Sequence, residues 1–402
     1  MKILVSAGEV SGDIAGARLA RELRARRPGA ELFGLGGPRM AEAGVDVLVD
    51  TNGLGTVGIS ESFRTVPGHL RAFASLRARV AATRPDAAVL IANDVFHVGL
   101  GRWLRAHGVP TLSYFPPQVW IWRSIARAFA ASFDEVLTSF PLEEKVWRAA
   151  GCSTTFVGHY LGDALRPATG EERQAARASF GLDGPDPVVA VLPGSRKQEV
   201  RRLAPVLLEA ARLLRDTDPR LRFVVPVADP RFEDVVRAEV GRRDLGGAVV
   251  TAPRSHDALR AADLALLASG TASLEAALLG TPMVIAYRVA ALTIGVVRSA
   301  IALSLIESDT VGLPNLVLGR RAVPELIQRR ATGAEVAAAA ARLLGDGEAR
   351  AAQRAALAEV ARLLFAGGSD GRAAEAVLGL VERRRVPLAA PSALATEEGG
   401  GR

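Results

Sequence analysis

A single cysteine, Cys152, stands in 402 residues, so the chain cannot close an internal disulfide and offers no cysteine pair to a zinc cluster. That fits a reducing cytoplasm. The five histidines, His69, His97, His107, His159 and His256, are scattered with no metal-ligand spacing, so neither a metal nor another cofactor is expected. Long apolar runs are also missing. The longest, Val289 to Ile306, carries Arg298 and serines, a poor match to the roughly 20 apolar residues that span a membrane. Met1 runs straight into Lys2-Ile3-Leu4-Val5-Ser6-Ala7, too short for a signal peptide and patterned as a buried strand, so the protein is expected to stay inside the cell. No basic patch is interleaved with aromatic residues, which argues against nucleic acid. What is present is ordinary for a packed chain: 49% hydrophobic, 23% charged and 5% aromatic residues. The balance of 50 Lys and Arg against 43 Asp and Glu, net +7, favours anionic partners such as a nucleotide-sugar or phospholipid head groups.

The length exceeds the roughly 250–300 residues at which one core stops growing, so two domains with a cleft between them are expected. Short Val/Ile/Leu/Ala runs alternate with longer Ala/Arg/Leu/Glu segments: Ile3 to Ser6 and Ala15 to Arg26, then Glu31 to Gly34, Ala87 to Ile91, Leu100 to His107 and Thr111 to Tyr114. This rhythm predicts parallel strands with helical crossovers, buried on both faces. A polar stretch at 166–187 reads as an interdomain linker. The pattern restarts at Val188 to Leu192 and continues through helix Gln198 to Arg215, strand Arg222 to Val227, helix Phe232 to Val240, strand Ala248 to Thr251, helix Ser255 to Ala262 and strand Leu264 to Ala268. The expected organisation is therefore an N-terminal acceptor domain at 1–165, the linker, a C-terminal nucleotide domain at 188–365, a helix at 366–386 packing back on the first domain, and a disordered tail at 387–402.

Three strand-to-helix turns carry the residues suited to a phosphorylated ligand. The first is Gly8-Glu9-Val10-Ser11-Gly12-Asp13: two glycines admit a ligand closely, Ser11 or Asp13 can cap the helix, and Glu9 places a carboxylate where sugar hydroxyls would lie. The second is Pro193-Gly194-Ser195-Arg196, where Gly194 and Ser195 offer donors and Arg196 can grip a phosphate bidentately. The third is Ser269-Gly270-Thr271-Ala272-Ser273-Leu274-Glu275, with Glu275 able to take ribose hydroxyls and lacking the three-residue spacing of a capping box. Asn315, in Gly312-Leu313-Pro314-Asn315, is either a turn residue or a ligand contact.

These turns, together with Gly36-Gly37-Pro38-Arg39-Met40, Val57-Gly58-Ile59-Ser60-Glu61, Gln118-Val119-Trp120-Ile121-Trp122-Arg123 and Phe156-Val157-Gly158-His159, resemble the lipid-A-disaccharide synthase family in order and spacing over nearly the whole chain. The resemblance implies the α/β architecture called GT-B, two doubly wound parallel-sheet, Rossmann-like domains facing across a cleft. It implies a UDP-sugar donor held by Gly194, Ser195, Arg196, Ser269, Gly270, Thr271, Ser273, Glu275 and Asn315. The acceptor side would be lined by Glu9, Ser11, Gly12, Asp13 and Glu61. The implied reaction is inverting transfer of 2,3-diacylglucosamine from its UDP derivative to 2,3-diacylglucosamine 1-phosphate. Acylated substrates imply work at a membrane surface, peripheral on the inner membrane, and the Arg64 to Arg79 segment with Val66, Leu70, Phe73 and Leu76 among arginines suits docking on anionic lipid. An oligomer is compatible with all of this.

One position departs from the family. Where its pattern reads Ile-Asp-x-Pro-Asp-Phe-Asn, this chain reads Ile91-Ala92-Asn93-Asp94-Val95-Phe96-His97, so the family's general-base aspartate falls on Ala92. A displacement by a sugar hydroxyl needs a group to take its proton. Asp94, two residues on and on the same side of an extended chain, is favoured; His97 is the alternative. Tyr114-Phe115-Pro116-Pro117 also differs from the family wording, which bears on acceptor choice. The altered base leaves two further readings: a related UDP-sugar transferase with another acceptor, or a UDP-sugar-binding homologue without catalysis.

Overall fold

The computed structural model describes residues 1–8, 10–51, 59–92, 94–116, 123–288 and 310–385; side chains at 10, 59–66, 69, 94–95, 123–125 and 384–385 lie outside the description. The chain builds two all-parallel sheets. The first has β1 (Lys2–Ala7), β2 (Glu31–Gly36), β3 (Asp46–Asp50), β4 (Ala87–Ile91), β5 (Thr111–Tyr114), β6 (Glu135–Thr138) and β7 (Ser153–Phe156), in the order β3-β2-β1-β4-β5-β6-β7. The second has β8 (Val188–Leu192), β9 (Arg222–Pro226), β10 (Val249–Thr251), β11 (Leu264–Ala268), β12 (Met283–Tyr287) and β13 (Glu325–Ile327), in the order β10-β9-β8-β11-β12-β13. In each, the chain grows outward from the first strand, returns, and grows the other way. The reversal creates a crevice at the carboxyl ends of β1 and β4 in one sheet and of β8 and β11 in the other, the places where such folds take ligands.

The central strands are apolar throughout because helices cover both faces: every residue of β4, β8 and β11 is buried. Crossovers include α1 (Val10–Arg26), α2 (Pro38–Glu42), α3 (Ile59–Thr83), α4 (Asp94–Ala106), α5 (Arg123–Ala130) and α6 (Pro141–Ala149) in the first domain. The apolar stripe foreseen on 64–79 divides on α3: Leu76 is fully buried under the sheet, whereas Leu70 is 64% exposed. Leu76 is therefore core. Cys152 is buried too, and burial pushes its thiol up to about 11, so it is no nucleophile at neutral pH.

The stretch 166–187, expected as the interdomain linker, carries regular structure. It follows α7 (Tyr160–Ala164) and contains α8 (Gly170–Ala178), started by a capping box in which Thr169 accepts from Glu172 N–H and the Glu172 carboxylate accepts from Thr169 N–H. Arg173 and Arg177 then anchor α8 to Asp263 at 2.5 and 2.6 Å, beside the first strand of the second sheet. The polar composition was a docking face.

The described second-domain crossovers include α9 (Lys197–Thr217), α10 (Glu233–Arg242), α11 (Ser255–Ala261), α12 (Thr271–Leu278) and α13 (Leu313–Leu318), and α14 (Gly333–Gly345) and α15 (Gly347–Leu364) follow the last strand. The last helix, α16 (Ser369–Arg385), lies against α1 of the first domain. Ion pairs Arg18–Asp370 at 2.7 Å, Arg26–Glu375 at 2.9 Å and Arg383–Glu135 at 2.7 Å accompany it, and Asp163 accepts the Ser369 N–H at 2.6 Å. Residues 387–402 and the apolar segment 289–306 lie outside the described residues. Among the described residues, no helix is long and apolar enough to cross a membrane.

Candidate functional site

The two domains touch beside these crevices. Helix α12, starting from β11, packs against α7 of the first domain, and the Glu275 charge is felt by Tyr160, whose hydroxyl is pushed up to about 12 by burial first and by that carboxylate second. The Arg18 guanidinium sits 5.4 Å over the Tyr160 ring. A further aromatic wall is made by Phe115, Phe140, His159 and Tyr160; His159 stacks on Tyr160 at 4.9 Å and meets the Phe115 edge at 5.1 Å. His159 is buried, its Nδ1 accepts the Leu161 N–H at 3.1 Å, and burial lowers its pKa to about 3, so the ring is neutral.

On the second domain, β8 delivers Pro193 to Arg196 to the start of α9. Gly194 has φ 114°, and a Cβ there would lie 2.6 Å from the Glu199 Cβ, so only glycine fits this turn. Glu199 reaches back over the start of α9: its carboxylate accepts the Ser195 N–H at 3.1 Å and the Arg196 N–H at 3.2 Å, and pairs with the Arg196 guanidinium at 3.0 Å. The expected phosphate donors are thus engaged by an internal carboxylate. Sequence reading missed this, although Glu199 stands three residues after Arg196.

The turn after β11 sorts its residues by role. Gly270 caps α12 and Thr271 is exposed at its start. Ser269 donates to the Val311 carbonyl at 2.7 Å, which ties this turn to the one that opens α13. Ser273, expected at the nucleotide, is fully buried and donates to the Gly270 carbonyl at 2.7 Å, a bond that closes the turn. Glu275 is only partly buried, and its Oε1 lies 3.4 Å from Nε2 of His256 at the start of α11. His256 is a residue that sequence reasoning passed over. Its signal was its place in Ser255-His256, at a helix start a few residues after β10.

Asn315 takes the structural alternative. Its amide donates to the Val323 carbonyl at 2.8 Å and to Glu325 Oε1 at 2.6 Å, while its oxygen accepts the Ala322 and Val323 N–H groups at 2.8 and 2.9 Å. Two donors and two acceptors complete the capacity of a primary amide. The residue joins α13 to β13 and has nothing left for a ligand.

In the first domain Gly12 lies on α1 where an added Cβ would meet the Ile91 carbonyl oxygen at 3.3 Å and the Ala92 Cβ at 3.6 Å, so glycine lets α1 approach the end of β4. Ser11 is half-buried beside it. Asp13, expected in the cleft or capping its own helix, is 1% exposed and accepts the Gly37 and Met40 N–H groups at 2.8 and 3.0 Å and the Arg39 N–H at 3.3 Å. It caps α2 from α1, three backbone donors sharing one buried carboxylate. Glu9 and the Glu61 side chain lie outside the described residues, as do Gln118 to Trp122.

Of the two proposed bases, Asp94 is the first residue of α4, immediately past the crevice end of β4; its side chain is outside the description. His97 is 2% exposed, with Nε2 2.9 Å from the Ser6 hydroxyl and Nδ1 against the Ala92 carbonyl. An imidazole engaged at both nitrogens and shut from solvent is poorly placed to take a proton from an acceptor hydroxyl. No metal-binding cluster of His, Cys, Asp or Glu occurs among the described residues.

A family model described as Lipid-A-disaccharide synthetase matches residues 3–370. The lipid-A-disaccharide synthase of Geobacter sulfurreducens is 40% identical over 384 residues, covering 95% of this chain and 98% of that protein. That of Trichlorobacter lovleyi is 38% identical over 383 residues, with 95% and 98% covered. Among solved structures, UDP-GlcNAc 2-epimerase from Neisseria meningitidis bound to UDP-GlcNAc superposes with a TM-score of 0.64 at 13% identity, covering 94% of this chain and 100% of that one. That last likeness shows the fold.

Proposed function

The chain belongs to the lipid-A-disaccharide synthase family, a family of GT-B glycosyltransferases, and from that premise we propose how its cleft performs the transfer. The donor is UDP-2,3-diacylglucosamine and the acceptor 2,3-diacylglucosamine 1-phosphate. The 6-hydroxyl of the acceptor attacks the anomeric carbon from the face opposite UDP, the carbon–oxygen bond to UDP breaks, and a β-1,6-linked disaccharide 1-phosphate leaves with inverted configuration. UDP departs with the electron pair of the broken bond. A base takes the hydroxyl proton, and Asp94 is that base.

The observation that carries this reading is the packing of α12, which leaves the crevice end of β11, against α7 of the first domain, with Glu275 on one side and Tyr160 on the other. Glu275 takes the ribose hydroxyls, held from behind by His256. Arg196 and the N-termini of α9 and α12 neutralise the diphosphate, Arg196 exchanging Glu199 for the ligand. Gly12 keeps the acceptor-side turn close to the end of β4.

The protein acts at the cytoplasmic face of the inner membrane as a peripheral enzyme. The support is α3, where exposed Leu70 neighbours Phe73, and Arg77 lies 5.9 Å from the Phe73 ring and 5.6 Å from the Trp103 ring. Flotation with vesicles containing anionic lipid should carry the protein up, and equal recovery with neutral vesicles would sink the membrane claim. Self-association is tested by light scattering across concentrations.

The function itself is tested by mixing the full chain with the two acylated substrates and following disaccharide by mass spectrometry. Disaccharide and UDP in equal amounts are expected. Protein that binds UDP but transfers to another acceptor points to the changed-acceptor reading motivated by Ala92; binding with no transfer to any acceptor points to a homologue without catalysis.

A further inference from the structure

The chain leaves β4 through Ala92, whose φ of 54° lies in the left-handed region that residues with a Cβ seldom adopt unless their surroundings hold them there. Three contacts do so. The Ala92 N–H donates to the Tyr114 carbonyl on the neighbouring strand at 3.2 Å. The Ala92 methyl faces Gly12 of α1. The Ala92 carbonyl accepts from His97 Nδ1, reaching back from the first turn of α4. On its other side His97 meets Ser6, a fully buried residue of β1 whose strand pairs with β4 in the register Ser6 to Leu90.

The polarity of this chain of bonds follows from chemistry. A carbonyl only accepts, so Nδ1 carries the proton; in the neutral ring Nε2 is then the acceptor, and the Ser6 hydroxyl donates to it. The imidazole is a rigid strut between β1, the left-handed residue and α4. It joins the crevice ends of both central strands from the first turn of α4.

We propose that His97 is a positioning residue for the transfer reaction: through Ser6 and the Ala92 carbonyl it fixes the left-handed exit from β4, and so the start of α4, without itself carrying the proton. The proposal rests on the proposed transfer. A strut is replaceable by any side chain that presents an N–H to the same carbonyl, whereas a base is replaceable only by another base. Asparagine supplies an N–H and an acceptor in a similar reach; leucine fills the space and supplies neither.

The test uses the full-length protein and its two acylated substrates, with His97→Asn, His97→Leu and Ser6→Ala. His97→Asn should keep kcat within about threefold and the pH profile unchanged, while His97→Leu should lose about a hundredfold in kcat, the scale of a small misplacement of reacting groups. UDP affinity, measured by calorimetry, should hold in both, which also shows that each variant is folded. Equal loss in His97→Asn and His97→Leu, or an acid limb of the parent profile that vanishes in His97→Asn, would overturn the proposal in favour of proton transfer by His97. Parent-like kcat in His97→Leu would overturn it in favour of a bystander. If the parent binds UDP yet makes no disaccharide, it is the transfer reading that fails. Nitrogen-15 spectra of the ring then decide the strut: a protonated Nδ1, with an Nε2 signal that moves in Ser6→Ala, is expected, and an Nε2-protonated tautomer refutes it.

Discussion

Glu275 Oε1 lies 3.4 Å from His256 Nε2, joining the helix that follows β11 to the one that follows β10 across the mouth of the second sheet. The distance is long for a strong hydrogen bond, so the contact orients the carboxylate more than it binds it. Glu275→Ala should weaken UDP binding by about tenfold to a hundredfold, the value of one or two hydrogen bonds to a charged group. His256→Ala should weaken it less. Calorimetry with UDP and with 2′,3′-dideoxy-UDP separates the roles: if Glu275 holds ribose, the losses from Glu275→Ala and from the missing hydroxyls will not add.

Asp94 begins α4 at the end of β4. Replacing it with alanine should abolish disaccharide formation, a loss of at least about a hundredfold for a general base, while UDP affinity stays near that of the parent. Substantial residual turnover at steady state would remove Asp94 from the role.

Asn315 and Glu325 are 2.6 Å apart through an amide donor. Asn315→Asp sets two carboxylates face to face in a buried site and takes away that donor. A loss of about 2–4 kcal/mol in urea unfolding is expected. In the remaining folded fraction UDP affinity should be unchanged; a selective loss of affinity with intact stability would restore Asn315 as a ligand contact.

His159 is buried neutral with a pKa lowered to about 3, against 6.5 for the ordinary group. Between those values the unfolded chain binds more protons than the folded one, so stability is full above pH 6.5 and falls as pH drops toward 3, by about 1.4 kcal/mol per pH unit from this group. His159→Asn keeps an acceptor for the Leu161 N–H and does not titrate, so its unfolding free energy should slope less over the same interval. Identical slopes for parent and variant would show that His159 does not set the acid limit.

Much of this protein was legible in the linear sequence. Ala87 to Ile91, Val188 to Leu192 and Leu264 to Ala268 are strands with the bounds that their apolar runs predict, because a strand covered by helices on both faces has no polar alternation to blur its ends. The glycine-bearing turns also declared themselves, since few other residues make a tight strand-to-helix turn. Composition and local period decide such features, and they act over a few residues.

Which of the turn residues remain available to a ligand was decided only by the tertiary structure. Asp13 meets Gly37, His97 meets Ser6, Asn315 meets Glu325, and each partner lies at a sequence distance that no local pattern spans. Glu199, although near Arg196 in sequence, shows its hold on that turn only in three dimensions. A buried polar group must find a partner, and folding assigns that partner through strand order and helix packing. The sequence therefore determined which chemistry this cleft contains, and the packing decided which of those groups are left to use it.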